Sequence, residues 1–154
     1  MNEKSELPIA LRSAYLAMHR QTDAGFAKFG VTADQFVLLA SLSRGDALTQ
    51  RELARRMSSD PSTVRAMLIL LEKKGFVERD VHPSDSRSRT VALTAAGKKK
   101  FRQLWNESEL LRETMVDAIG PDGASEFIRL LIRLAEALNS ESLPRFSRKQ
   151  RSSR

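Results

Sequence analysis

Thr49-Gln-Arg-Glu-Leu-Ala-Arg-Arg-Met-Ser-Ser-Asp-Pro-Ser-Thr-Val-Arg65 contains two helix starts in one short stretch. Thr49 followed three residues later by Glu52 has the capping-box form, in which a hydroxyl takes an orphan amide and the acid reaches back. Asp60 before Pro61 is the second start. It is an N-cap with proline at the first helical position, where the missing N–H costs nothing. Leu53, Ala54 and Met57 give the first helix an apolar side, and Ser58-Ser-Asp60 leaves room only for a tight turn. The second helix runs to Lys74 and Gly75 closes it. A short helix, a tight turn and a longer helix over Gln50–Lys74 form a helix-turn-helix.

Working outward, Phe76–Val81 and Arg89–Leu93 alternate in part and are rich in β-branched residues, so they read as two strands. The polar loop His82-Pro-Ser-Asp-Ser-Arg-Ser88 between them makes a protruding antiparallel ribbon, a wing beside the helix-turn-helix. Upstream, a first helix spans about Leu7 to Phe29 and stops at Gly30. Thr32-Ala-Asp-Gln35 then has the capping-box form and opens Phe36-Val-Leu-Leu-Ala-Ser-Leu42, which is apolar almost all round and expected in the core. Downstream, Thr94 caps a helix expected to continue through Leu104, Trp105, Leu111 and Met115 to Ile119. Gly120-Pro121 breaks the chain, and a last helix carries Phe127, Leu130, Leu131, Leu134 and Leu138 at helical spacing. The expected fold is mainly α with a small antiparallel β-wing: a winged helix-turn-helix lobe plus a helical dimerisation region.

The 154 residues carry a net charge of +7 and no cysteine. Absence of cysteine excludes disulfides, thiolate metal sites, a cysteine nucleophile and thiol redox sensing. The longest apolar run, Ala66–Leu71, is far short of the ~20 residues that span a bilayer, and the first residues show no secretory signal. A cytoplasmic location is expected, with no membrane partner. The charge is uneven: +1 over residues 1–31, +5 over 32–100, −4 over 101–144 and +5 over 145–154. A basic middle points to an anionic partner, and the aperiodic tail Arg145-Phe-Ser-Arg-Lys-Gln-Arg-Ser-Ser-Arg154 reads as disordered.

In a helix-turn-helix the tip of the second helix meets base edges in the major groove. Here that tip carries Pro61, Ser62, Thr63 and Arg65, and Arg can bind guanine through two hydrogen bonds. Met67, Leu68, Leu70 and Leu71 are then expected to face inward. On the ribbon, Arg87 and Arg89 sit at or near the tip. Asp85 is spaced to orient the fork of Arg87 for a narrow minor groove.

Gln35-Phe-Val-Leu-Leu39, Leu48-Thr-Gln-Arg-Glu-Leu-Ala54, Asp60-Pro-Ser-Thr-Val64, Leu71-Glu-Lys-Lys-Gly-Phe-Val-Glu-Arg79 and Asp85-Ser-Arg-Ser-Arg-Thr-Val-Ala-Leu-Thr94 together resemble the MarR family of bacterial transcription regulators. The resemblance is close over the middle 65 or so residues. It implies a homodimer on a pseudo-palindromic operator, commonly a repressor. Residues 1–31 and 101–143 would form the helical dimerisation region, 32–100 the winged lobe that binds double-stranded DNA, and 144–154 a basic tail. Carried over position by position, Asp85 and Arg87 match the wing's acidic orienter and minor-groove arginine. Ser62 and Thr63 match DNA-facing positions, and Thr49 and Gln50 lie near phosphates. Arg51, Arg65 and Arg89 complete the expected DNA-binding set. The sequence departs from the family at Ala66 and Ile69-Leu70, where arginine and an Asp-Arg pair are common; Arg65 is the only basic residue in the front half of the helix.

Many members of the family sense small aromatic or phenolic anions. Arg12, Tyr15, His19 and Trp105 are the candidates for such a site, beside the plainer reading of a dimer seam and a surface histidine. Catalysis is not expected. The two histidines, His19 and His82, are far apart in sequence, and no metal-ligand spacing, phosphate-cradling loop or nucleophile elbow is present. No cofactor is expected. The alternative is a winged-helix module without ligand sensing, acting as a constitutive DNA-binding or protein-interaction factor. An RNA reader would present stacking aromatics, which the wing and helix tip lack.

Overall fold

Among the described residues of the computed structural model there are seven α-helices and three strands, in the order α1(Glu3–Phe26), α2(Ala33–Leu42), β1(Leu48–Thr49), α3(Gln50–Arg56), α4(Pro61–Lys73), β2(Val77–His82), β3(Asp85–Leu93), α5(Ala95–Glu107), α6(Glu109–Ile119) and α7(Pro121–Leu138). It describes residues 2–45, 47–82 and 84–140, and the side chains of 81, 82 and 85–88 lie outside that description. By its internal contacts the chain divides into two units, residues 1–113 and 114–154. Among the described residues, no helix is long and apolar enough to cross a membrane.

The capping reasoning accounts for most boundaries. Thr32 Oγ1 accepts from the Gln35 amide at 3.1 Å while Gln35 returns a bond to the Thr32 amide, a complete capping box. Thr49 accepts from the Glu52 amide, Asp60 from Thr63 and Thr94 from Gly97. α1 begins four residues earlier than expected. Asn2 caps it through the Ser5 amide, and Pro8 lies within the helix. After Phe26 the helix tightens into a 3-10 turn, Ala27–Phe29, and Gly30 takes the left-handed conformation at φ 68°. Asp23 ties this end of α1 to the next helix, its Oδ1 accepting from the Ala33 amide at 2.6 Å. That carboxylate sits where a helix N-terminus favours negative charge.

Three expectations on burial and continuity are corrected. α2 is not apolar all round in its surroundings: Leu38, Leu39 and Leu42 are buried, but Val37 is 45% exposed. On α4, Val64, Leu68 and Leu71 are buried while Leu70 is 50% exposed, because only one stripe of a 3.6-residue helix faces the core. The long helix expected after Thr94 is two helices, divided at Ser108. Its hydroxyl bonds back to the Trp105 carbonyl, in competition with the helical ladder.

The sheet also differs from a two-stranded ribbon. β1 adds a third strand in the order β1-β3-β2, pairing Leu48 with Val91 and Thr49 with Thr90. The β2–β3 pairing continues out to His82↔Asp85, with a register irregularity at Val81/His82. Asp85 and Arg87 are therefore on strand β3 and not in a seven-residue loop, while Arg89 is on the strand as expected. Alternation had stopped the strand early because Ser86 and Ser88 offer no apolar signal.

α5 starts where the wing ends, and the joint is tight. The Thr94 amide donates to the Phe76 carbonyl at 3.1 Å, and the Thr94 hydroxyl donates to the Gly75 carbonyl at 2.5 Å. A Cβ on Gly97 would lie 1.9 Å from the Phe76 carbonyl oxygen, so the helix can approach this closely only with glycine there. Gly25, inside α1, has no heavy atom within 4 Å of where its Cβ would be. Gly97→Ala is therefore expected to destabilise the protein by about 3 kcal/mol through overpacking. Gly25→Ala is expected to be neutral or to stabilise by up to about 1 kcal/mol through helix propensity. Urea unfolding of the two variants measures both, and equal midpoints would reject the close-packing argument.

Candidate nucleic-acid interface

The leading turn of α4 projects because the rest of the helix is anchored. Val64, Leu68 and Leu71 are fully buried, whereas Pro61, Ser62, Thr63 and Arg65 are exposed. Asp60 organises this tip. Its Oδ1 accepts from the Thr63 amide at 2.9 Å and its Oδ2 from the Thr63 hydroxyl at 2.7 Å. With its hydroxyl hydrogen committed to Asp60, Thr63 presents its oxygen outward as an acceptor. The turn before the tip contains Ser58 at φ 49°, the only non-glycine residue with positive φ among those described.

Thr49, Gln50 and Arg51 form the start of α3. Thr49 is fixed twice, as a cap and as the partner of Thr90 in the sheet, while Arg51 is exposed. Gln50, Arg65 and Arg89 come together from α3, α4 and β3 around one open depression of about 440 Å³, which Glu72 and Arg79 also line. The reading of the sequence did not single out those last two residues. Arg79 Nε and Nη2 donate to Glu72 Oε2 and Oε1 at 2.8 and 3.1 Å, across the turn at Gly75. The Arg79 hydrogen bond, with the Arg79 and Arg89 charges, holds the Glu72 carboxyl below the usual carboxylate range. Asp85 and Arg87 belong to strand β3 of the wing; their side chains lie outside the described residues, as does the tail, 145–154.

The four candidate ligand residues do not converge on one site. Tyr15 Oη and His19 Nδ1 are 3.5 Å apart on α1, and His19 Nε2 is 3.2 Å from Asp23 Oδ2. Arg12 is exposed on the same helix. Trp105 belongs elsewhere, at the end of an aromatic row running from Phe26 through Phe36 and Phe101. Arg112 stacks over its ring at 3.7 Å. With Ala40, Arg44, Phe101 and Arg102, Trp105 lines a groove of about 520 Å³ between α2 and α5, to which Arg12, Tyr15 and His19 do not contribute. No group of three or more metal-ligating side chains occurs among the described residues.

Asp60 is held below the ordinary carboxylate pKa, first by the Thr63 hydroxyl and then by the Thr63 amide. A depressed carboxylate stabilises the fold above its unfolded pKa, and that contribution is lost as pH falls through the folded one. Asn also caps helices well but does not titrate. Wild type is thus expected to lose stability relative to Asp60→Asn as pH falls from about 5 to about 3. Parallel pH–stability curves from urea titrations would remove Asp60 from the acid response.

Residues 31–88 match the MarR family model. Among curated relatives, the chain is 35% identical over 94 residues to the HTH-type transcriptional regulator YdcH of Bacillus subtilis, covering 58% of this chain and 64% of that one. It is 25% identical over 137 residues to the transcriptional repressor MdtR of the same organism, covering 89% and 88%. Among solved structures it is similar to a mutant MarR from E. coli complexed with operator DNA, at 26% identity and a TM-score of 0.77, covering 86% of this chain and 96% of that one. The winged lobe, the exposed helix tip and these likenesses agree: residues 31–88 are a winged helix-turn-helix of the MarR family, and over most of its length the chain is similar to DNA-binding transcriptional regulators.

Proposed function

We propose that two copies of this chain bind a pseudo-palindromic duplex operator and repress transcription by occluding it. Each copy lays the leading turn of α4 in a major groove and its wing in the adjacent minor groove. The observation that carries this reading is that the polar residues opening α4, Pro61, Ser62, Thr63 and Arg65, are all exposed while one stripe, Val64, Leu68 and Leu71, anchors the helix in the core. That layout suits a helix entering a groove end-on. Ser62, Thr63 and Arg65 read base edges, and Thr49, Gln50 and Arg51 stand at the phosphates. Arg89 flanks the groove, and Arg87, oriented by Asp85, enters the minor groove from the wing. The likeness to MarR in complex with operator DNA supports this placement.

A two-fold operator asks for a two-fold protein, and C2 is the commonest symmetry of soluble oligomers. α7 supports it. None of its residues is buried, and Phe127, Ile128, Leu130, Ile132 and Leu138 are each more than 40% exposed. A continuous apolar face of this kind calls for a partner, and a second copy of the same residues supplies one. Residues 1–31 and 101–143 thus serve dimerisation, and 144–154 is a basic tail outside the described structure.

A second reading concerns ligand sensing. The α2–α5 groove offers the indole of Trp105, the ring of Phe101 and the guanidiniums of Arg44 and Arg102. Aromatic walls beside guanidinium cations suit a small aromatic carboxylate or phenolate. Arg12, Tyr15 and His19 form a separate cluster on α1 that does not line this groove.

The DNA reading is tested by selecting bound sites from random duplexes with wild type, Arg65→Ala and Arg51→Ala. Arg65→Ala is expected to change the selected motif and to cost about 1–3 kcal/mol on the wild-type operator. Arg51→Ala is expected to weaken all duplexes alike and leave the motif intact; identical motifs for wild type and Arg65→Ala would reject base readout by that residue. For the groove, Trp105 is the only tryptophan and reports directly. Benzoate or hydroxybenzoate is expected to change its fluorescence saturably in wild type and much less in Arg44→Ala. A response unchanged by that substitution would place the binding elsewhere.

A further inference from the structure

The depression between the recognition helix and the wing contains a feature that DNA attraction alone would not place there. Among the described residues its charged lining is three guanidiniums, Arg65, Arg79 and Arg89, and one carboxylate, Glu72. A groove built only to attract phosphate has no use for the acid. Glu72 is also not spent on stability, since an ion pair with 41% and 25% of its side chains exposed contributes little. What the pair does is geometric. Arg79 is engaged fork-to-fork through Nε and Nη2, the geometry that fixes a guanidinium in both position and plane. One partner is near the end of α4 and the other near the root of β2, so the contact also spans from helix to wing.

We propose that Glu72 is a specificity-determining residue for DNA recognition: it holds Arg79 on the protein, so that Arg65 and Arg89 are the guanidiniums this depression presents to a backbone phosphate. The inference rests on the DNA-binding reading above. A guanidinium free to swing onto phosphate adds affinity to every duplex equally, because phosphates carry no sequence information. Sequestered by Glu72, Arg79 adds none of that indiscriminate affinity. The discrimination made by the α4 tip is therefore diluted less. Glu72 acts through Arg79 and touches no base, so it is a positioning residue.

The test is the salt dependence of binding by the full chain to a selected operator and to a scrambled duplex of equal length. Glu72→Gln keeps the side-chain shape and removes its charge. It is expected to steepen the log–log salt slope on scrambled duplex by about 0.9, the increment of one added phosphate contact, and to narrow the affinity ratio between operator and scrambled DNA. The double variant Glu72→Gln/Arg79→Gln is expected to return the slope to the wild-type value. Glu78→Gln, which neutralises an exposed carboxylate at the adjacent position of β2, should leave it there. An unchanged slope for Glu72→Gln, or an equal steepening from Glu78→Gln, overturns the proposal. So does a double variant whose slope is shallower than wild type by about one contact, since Arg79 would then already be touching phosphate. Wild type that binds no duplex at all would overturn the DNA reading itself, a result distinct from each of these.

Discussion

The knot at Gly75, Phe76, Thr94 and Gly97 is the constraint on which the rest of the DNA-facing lobe depends. One threonine does three things there. Its amide donates to the Phe76 carbonyl, its hydroxyl donates to the Gly75 carbonyl, and its oxygen accepts from the Gly97 amide to cap α5. The end of the recognition helix, the first residue before β2, the end of β3 and the start of α5 are therefore joined at one point. A two-stranded ribbon alone is marginal in water. This one has its root tied to two helices and gains a third strand, β1, from the residues just before α3. The wing and α4 thus meet at one point, held by the Thr94 amide and hydroxyl.

From that origin the charge pattern acquires a structural meaning. The middle of the chain carries +5, a modest value for a surface that meets a polyanion. Its basic residues are spread along the whole segment, and those proposed for contact stand on three elements, Arg65 on α4, Arg89 on β3 and Arg51 at the start of α3. An interface with few cations depends on where each one stands, because long-range attraction is screened within about 8–10 Å at physiological salt. The caps serve the same purpose. Asp60 commits the Thr63 hydroxyl as well as the Thr63 amide, which fixes what the tip presents before any DNA arrives.

Much of this was legible in the sequence, for a physical reason: helix ends are decided by local chemistry. Thr32, Thr49, Asp60 and Thr94 are each followed at the third residue by the amide they cap, and all four caps form. What was not legible depends on distant partners. β1 is two residues long and exists only because Val91 and Thr90 lie opposite, which no pattern within Leu48-Thr49 reveals. The outward turn of Val37 and Leu70 is likewise set by which side of the helix the core occupies. The split at Ser108 is subtler, since serine is tolerated in helices and the break is marked by bonds to the Trp105 carbonyl from the Ser108 hydroxyl and from Arg112, four residues on.

The candidate site was legible in the same measure and no further. Arg65 and Arg89 were named from the residue chemistry of their own elements and Gln50 from the family resemblance, and the fold then put them around one depression. Glu72 and Arg79 lie in the stretch that carried the family resemblance, yet neither stands out there. A glutamate late in a helix and an arginine early in a strand are both ordinary surface residues. Their meaning comes from the left-handed Gly75 between them, which reverses the chain and brings positions seven apart into bidentate contact. A reading that treats helix and strand as separate elements assigns the charge of Arg79 to the DNA-facing total. The fold pairs it with Glu72, so of the three guanidiniums that line that depression among the described residues, Arg79 is the one held by this carboxylate.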